Sequence, residues 1–218
     1  MTNKKYFFIG IGGIGMSSIA QYLHEKENTI LGYDASENKS IKILLKKGID
    51  VINKLSLKSI PDYMKKDDVI VVYAPAIPDD NIFLKYFRKN GNNQIYKRSE
   101  MLGEISRQSK CIAVAGTHGK TTTSAIISHL FHSSGIHFKA FIGGIMKCFD
   151  SNFINTGNDY IIVEADEYDR SFLNLNPNYA VITSIESDHL DIYGDFKSLA
   201  KSFQSFKNNV KDVLIADA

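Results

Sequence analysis

Residues Gly116-Thr117-His118-Gly119-Lys120-Thr121 combine within a few positions what a phosphate ester needs from a protein. Glycines let backbone N–H groups turn toward an anion, a lysine supplies a point charge for the outer phosphates, and a hydroxyl can ligate Mg²⁺. The usual phosphate loop has another glycine five residues before Gly119, where this chain has Val114, so the loop is shortened and starts at Gly116. The apolar run Cys111–Ala115 reads as an entering strand and Thr121–Ser134 as a departing helix. Anions are favoured at such a helix N-terminus, so the pattern predicts an ATP or GTP site. The alternative, a solvated turn with an accidental lysine, leaves the flanking strand and helix without a role.

Mg²⁺ on a nucleotide takes few protein ligands, mostly oxygen, and keeps several waters. In "YIIVEADEYD" an apolar strand ends in Glu164, and ligands gather at that end of a parallel sheet. Glu164 is therefore the candidate metal ligand, while Asp166, Glu167 and Asp169 read as a solvated acidic turn. His189, in "SIESDHLDIYGDF", reads from its chemistry as a general base or a surface histidine, because imidazole is not a preferred magnesium ligand.

A second glycine loop lies near the N-terminus. "GIGGIG" at 10–15 places Gly10, Gly12 and Gly15 as the dinucleotide fingerprint requires, and Asp34 ends the next strand about 20 residues on. Physically this describes a diphosphate on a helix N-terminus with an acid near a ribose hydroxyl, a description that fits NAD and a UDP-sugar alike. An NAD-dependent oxidoreductase and a non-catalytic nucleotide-binding module both remain open on this motif, although the first gives the Gly116 loop no task.

The elements that must hold these loops alternate. Strands are expected at Tyr6–Ile11, Thr29–Tyr33, Asp68–Ala74 and Gln94–Tyr96. Between them come helices from about Met16 to Lys26, Ser40 to Lys47 and through "NIFLKYFRKNG", which stops at Gly91, then Ser99–Arg107 with Ser99 as its cap. After a polar boundary at 106–110 the pattern restarts with Cys111–Ala115, Phe138–Ile142, Tyr160–Glu164 and Ala180–Thr183, a helix Phe196–Lys207 and a last strand in "DVLIADA". Alternation of this kind implies an α/β fold with parallel sheets covered on both faces. The expected division is a Rossmann-like N-terminal domain over 1–107 and a P-loop-type α/β domain over 108–218.

Composition excludes several classes. With 44% hydrophobic and 23% charged residues the 218-residue chain is an ordinary globular protein, and its net charge of +2 makes no case for nucleic acid. Cys111 and Cys148 form no Cys-x-x-Cys pair, so neither structural zinc nor a disulfide framework is indicated, and a reducing, cytoplasmic compartment is expected. The N-terminal run "YFFIGIGGIGM" is broken by four glycines, which argues against a signal peptide, and no apolar run is long enough to span a bilayer. No protein partner is indicated.

"GTHGKTTT", "EADEYDRSFL" and "SDHLDIYGDF", in this order, resemble the Mur ligases of peptidoglycan synthesis, and "GIGGIGMSSIA" resembles the branch that adds L-alanine. The shortened phosphate loop is what that family uses. The resemblance implies that Gly10, Ile11, Gly12, Gly13, Ile14 and Gly15, with Asp34 and Asn38, hold the UDP part of UDP-N-acetylmuramate. It implies that Gly116, Thr117, His118, Gly119, Lys120, Thr121 and Thr122 hold ATP. Thr121 and Glu164 would then ligate Mg²⁺ and His189 a second Mg²⁺, with Lys120, Glu164 and His189 as the catalytic set. Asp188 and the stretch Tyr168–Ser171 would approach the muramyl and amino-acid end. Most of the family carries a carbamylated lysine in the helix after the histidine motif. Here Phe203 and Gln204 occupy that region, as expected for the L-alanine branch or the tripeptide-recycling ligases, and "GIGGIGMS" and "SFLNLNP" favour the former. The implied chemistry is activation of the lactyl carboxylate by ATP as an acyl phosphate, followed by attack of the L-alanine amine. Full family members add the rest of the central domain and a C-terminal domain, so the central domain is expected to be incomplete over this span and amide formation slow.

Overall fold

A computed structural model describes residues 3–89, 93–186 and 190–216. The chain forms two compact units, 1–101 and 102–218. The first contains β1 (Lys5–Ile9), α1 (Ile14–Glu25), β2 (Thr29–Tyr33), α2 (Lys39–Lys46), β3 (Asp50–Ile52), β4 (Val69–Tyr73), α3 (Ile82–Lys89) and β5 (Ile95–Lys97). Its sheet runs β3-β2-β1-β4-β5 with every pair parallel. The order reverses at β1, and open α/β sheets bind ligands beyond the strand ends at such a reversal. The loop 10–13 sits there.

β1 shows why. Tyr6, Phe7, Phe8 and Ile9 are all buried, as a strand covered on both faces requires. Phe7 and Ile9 join Leu31, Val71, Phe83 and Phe87 in one core, with the Phe7 and Phe83 rings edge to face at 5.5 Å. At the end of the strand Gly10 turns at φ +84°, a conformation that glycine adopts without strain.

α4 (Arg98–Ser106) carries the division between the units. It corrects one expectation: Ser99 lies inside the helix and is buried, and the Lys97 N–H is taken instead by Glu100 Oε2 at 2.7 Å. The expected stop of α3 at Gly91 lies outside the described residues. β3 has no counterpart in the sequence reading, because three residues with one exposed leave too little periodicity.

The second unit holds β6 (Lys110–Ala115), α5 (Lys120–Ser133), β7 (Phe138–Met146), β8 (Ser151–Asn155), β9 (Tyr160–Glu164), β10 (Tyr179–Ile182), α6 (Leu190–Tyr193), α7 (Phe196–Asn208) and β11 (Val213–Ala216). Its sheet runs β11-β10-β6-β9-β7-β8. All pairs are parallel except β7 with β8, which form an antiparallel hairpin, so this sheet is mixed where an all-parallel one was expected. One face is sealed under α5 by Ile112, Phe138, Ile142 and Ile162 with Phe131. Elsewhere in the unit Phe172 stacks on Phe206 at 5.0 Å and meets Phe203 edge to face at 5.2 Å. Phe203 is thus core, while Lys201 and Lys207 on the same helix are exposed.

Among the described residues no helix is long and apolar enough to cross a membrane. Gly32 tests how tightly the first loop is seated. A Cβ there would lie 2.6 Å from Ile11 Cβ, and Ile11 is itself fully buried. Gly32→Ala is expected to destabilise the first unit by about 1–3 kcal/mol through overpacking, read as a lower urea midpoint. An unchanged midpoint would show that the loop yields.

Candidate functional site

The first loop is held by the strand beside it. Gly10 and Ile11 donate to the Tyr33 carbonyl at 2.8 and 3.0 Å, and the Gly12 N–H donates to Asp34 Oδ2 at 2.7 Å. Asp34 Oδ1 accepts from the Ser36 N–H and hydroxyl at 2.9 and 2.6 Å. Asn38 caps α2 through Ile41 N (3.0 Å) and donates back to the Gly12 carbonyl (3.2 Å). Gly12 has no room for a side chain: a Cβ would stand 2.8 Å from Asp34 Oδ2 and 2.9 Å from Ile41 Cδ1. Gly13 is the N-cap of α1 and makes no side-chain cap, so the helix starts directly on the backbone of the turn. Beside Asp34 opens a cavity of about 330 Å³ lined by Ser36, Asn38, Ile41, Lys42, Val51 and Asn53.

Arg98 was missed by the sequence reading. A Cβ on Gly15 would lie 2.6 Å from Arg98 Nη1 and 3.5 Å from its Cζ, so the guanidinium lies against the first turn of α1. A cation at a helix N-terminus is electrostatically unfavourable unless an anion shares the place. The third glycine of the fingerprint therefore makes room for a positive charge, a role that no local spacing signals.

The second loop is built from β6, α5 and the end of β10. Gly116 (φ +128°) and Gly119 (φ +83°) both adopt backbone that favours glycine. A Cβ on Gly116 would lie 2.9 Å from Ser184 N. The Thr117 N–H donates to the Ser184 carbonyl (3.0 Å) and the His118 N–H to Ser184 Oγ (3.2 Å). Thr183 Oγ1 donates to the carbonyls of Ala115 (3.1 Å) and His118. Thr117 Oγ1 accepts from the Glu186 N–H at 3.1 Å, and His118 Nδ1 stands 3.7 Å from Glu186 Oε1. Gly119 caps α5 without a side-chain bond, which leaves the N–H groups of Lys120, Thr121 and Thr122 at the open start of the helix.

Lys120 and Glu164 converge on that start from different elements. Lys120 Nζ donates to the Gly116 carbonyl at 2.5 Å and to Glu167 at 2.8 and 2.9 Å. Glu167 is 0% exposed, which overturns its reading as part of a solvated turn, whereas Asp169 is exposed as expected. The turn folds inward because Phe172, Ser171 and Leu175 behind it are buried. Glu164 accepts from Thr121 Oγ1 at 3.1 Å and from the Gly143 N–H at 2.6 Å. Burial pushes the Glu164 carboxyl above its usual range, opposed by the Gly143 and Thr121 hydrogen bonds and the Lys120 charge, with Asp166 adding to the rise. A hydroxyl and a carboxylate 3.1 Å apart are hard oxygen donors of the kind Mg²⁺ takes. His189 and Asp188 lie outside the described residues. Among the described residues no group of three or more His, Cys, Asp or Glu is placed to hold a metal.

Residues 5–110 match the model described as "Mur ligase family, catalytic domain" and residues 114–218 the one described as "Mur ligase middle domain". The chain belongs to the Mur ligase family. It is 44% identical over 211 residues to the UDP-N-acetylmuramate--L-alanine ligase of Christiangramia forsetii, covering 96% of this chain and 46% of that protein. The crystal structure of a UDP-N-acetylmuramate-alanine ligase from Thermotoga maritima is 30% identical with a TM-score of 0.85, covering 96% of this chain and 48% of the other. The ligase for UDP-N-acetylmuramate and L-alanyl-gamma-D-glutamyl-meso-diaminopimelate from Neisseria meningitides shares the fold at TM-score 0.89 and 24% identity, over 100% of this chain and 72% of that one. This Mur ligase chain spans about half the length of the curated relatives it matches.

The raised Glu164 carboxyl has a consequence for stability. A carboxyl held above its unfolded value of 4.5 penalises the fold while ionised and ceases to do so once protonated in both states. Glu164→Gln keeps an acceptor for the Gly143 N–H and turns an amide N–H toward the Thr121 hydroxyl, which then accepts instead of donating. In metal-free buffer it is expected to melt above the unsubstituted chain near neutral pH, with the gap closing as the pH falls to 4.5. Parallel melting curves across that range would remove burial as the cause.

Proposed function

We propose that this chain carries the UDP-sugar and ATP sites of a ligase that joins L-alanine to the lactyl carboxylate of UDP-N-acetylmuramate. The observation that supports it most is the convergence of Lys120, Thr121 and Glu164 on the open start of α5, in a chain so similar to curated L-alanine ligases. The first unit would take the UDP-sugar. Its diphosphate lies on the Gly10–Gly15 turn between the start of α1 and the Arg98 guanidinium, with ribose and base in the cavity beside Asp34. The second unit would take ATP, with the phosphates on the N–H groups of Gly119 to Thr122.

In the reaction a lactyl carboxylate oxygen attacks the γ-phosphorus, the bond to the β,γ-bridging oxygen breaks, and ADP leaves. The L-alanine amine then attacks the acyl carbon, the carbon–oxygen bond to phosphate breaks, and the amine loses a proton as the amide forms. Carboxylate and triphosphate repel, so the chain's contribution is charge and position. Lys120 neutralises developing negative charge, and the helix N–H groups hold the phosphates in line. Thr121 and Glu164 fit Mg²⁺, which when bound supplies charge neutralisation across the phosphate oxygens. We place this chemistry in the cytoplasm, where the nucleotide and UDP-linked substrates are made.

Removing Lys120 alone would leave Glu167 buried without a counter-charge, so the test pairs Lys120→Ala with Glu167→Gln. The double variant is expected to lose ATP binding in calorimetry and to keep UDP-N-acetylmuramate binding. Equal loss of both would mean the sites are not independent. Arg98→Ala should weaken UDP-N-acetylmuramate, and not ATP, by about 1.5–3 kcal/mol, the usual contribution of a hydrogen bond to a charged group. Unchanged affinity would return Arg98 to a packing role. Incorporation of labelled L-alanine dependent on both ATP and UDP-N-acetylmuramate checks the transfer itself; it is expected to be slow over residues 1–218, and incorporation that needs no ATP would overturn the reading.

A further inference from the structure

We propose that Glu167 makes the phosphate loop discriminate between metal-complexed and metal-free triphosphate, a proposal that rests on the reading of this loop as an ATP site. Lys120 Nζ is within hydrogen-bond distance of the Gly116 carbonyl (2.5 Å), the Thr117 carbonyl (3.3 Å) and both Glu167 oxygens (2.9 and 2.8 Å). An ammonium has three protons, so its donors are committed before any ligand arrives. The pair is neutral as a unit, and the loop presents little net positive charge while it stands.

Glu167 cannot withdraw easily. Its side chain is 0% exposed. Its carbonyl accepts from the Tyr193 hydroxyl at 2.5 Å and from the Arg170 N–H at 2.9 Å. Immediately beyond it Asp169 and Arg170 both stand at positive φ (+52° and +53°), a strained pair for side-chain-bearing residues. Moving the carboxylate means remaking this turn.

When phosphates reach the start of α5, Lys120 has to turn at least one N–H toward them while Glu167 stays beside it. One ammonium then faces two anions, and the repulsion between them is large in a poorly hydrated site. A triphosphate that carries its divalent cation brings two fewer negative charges and tolerates Glu167. The bare triphosphate does not. Glu167 would thus be a specificity-determining residue that acts through Lys120 and touches no substrate atom.

The test measures dissociation constants for ATP in excess Mg²⁺ and in chelator, using residues 1–218 and the variants Glu167→Gln, Glu167→Ser and Glu167→Asp, with thermal melts reporting folding. The unsubstituted chain should prefer the magnesium complex. Both neutral variants should bind metal-free ATP about ten-fold or more tighter while changing less in Mg²⁺, as the loss of a close like charge requires. Glu167→Asp keeps the charge and should keep the preference even if both affinities drop. A preference unchanged in a folded neutral variant, or abolished equally by Glu167→Asp, would overturn the proposal and leave the ATP reading standing. No ATP binding by the unsubstituted chain in either condition would overturn that reading and this proposal with it.

Discussion

A glycine turn that opens a helix carries N–H groups with no partner in their own helix, and a chain that folds around such a turn must meet that deficit from elsewhere. Both loops of this protein meet the part of it that precedes the helix with a neighbouring strand end, and leave the helix start itself open. Asp34, at the end of β2, accepts the Gly12 N–H, and Ser184, beyond β10, accepts from Thr117 and His118. The same constraint explains the glycines. Gly12, Gly116 and Gly143 each stand where a Cβ would collide with the groups that satisfy the turn.

Packing follows from that requirement. For strand ends to converge on a turn, the strands must be parallel neighbours buried on both faces, and parallel strands need helices as crossovers. β1 beside β2, and β6 between β10 and β9, put the partners of each loop one strand away. Glu164 reaches Thr121 because β9 pairs with β6 in a register that sets Val114 against Glu164. The cost of the arrangement is concentrated at Glu164, an acid held in partial burial by one N–H and one hydroxyl.

Much of this was legible in the sequence because the signals are local. The glycine spacing, the apolar runs before each loop, and Glu164 at a strand end are all patterns within a dozen residues. What escaped is what the tertiary fold decides. Glu167 reads as one more acid in a polar turn until Phe172 and Leu175 carry that turn inward, and Lys120 lies 47 positions away. Arg98 meets Gly15 from the far end of the same unit. β3 is too short to show a period, β8 buries polar Ser151 and Asn152 that read locally as a turn, and Ser99 resembles a cap only until Glu100 does that work.

The β7–β8 hairpin has a bearing on how the second unit assembles. Apart from β7 with β9, which are linked through β8, every other strand pair in its sheet joins segments separated by at least one helix, so the chain must close a large loop before the first hydrogen bond forms. Met146 and Ser151 pair across only a short connection. Closure entropy is smallest there, and hairpins form in about 1–10 μs, well ahead of non-local pairing. The antiparallel edge gives the sheet an early template, onto which β9 can dock. Because Gly143 lies on that hairpin, the backbone that receives Glu164 can be in place before the acid arrives.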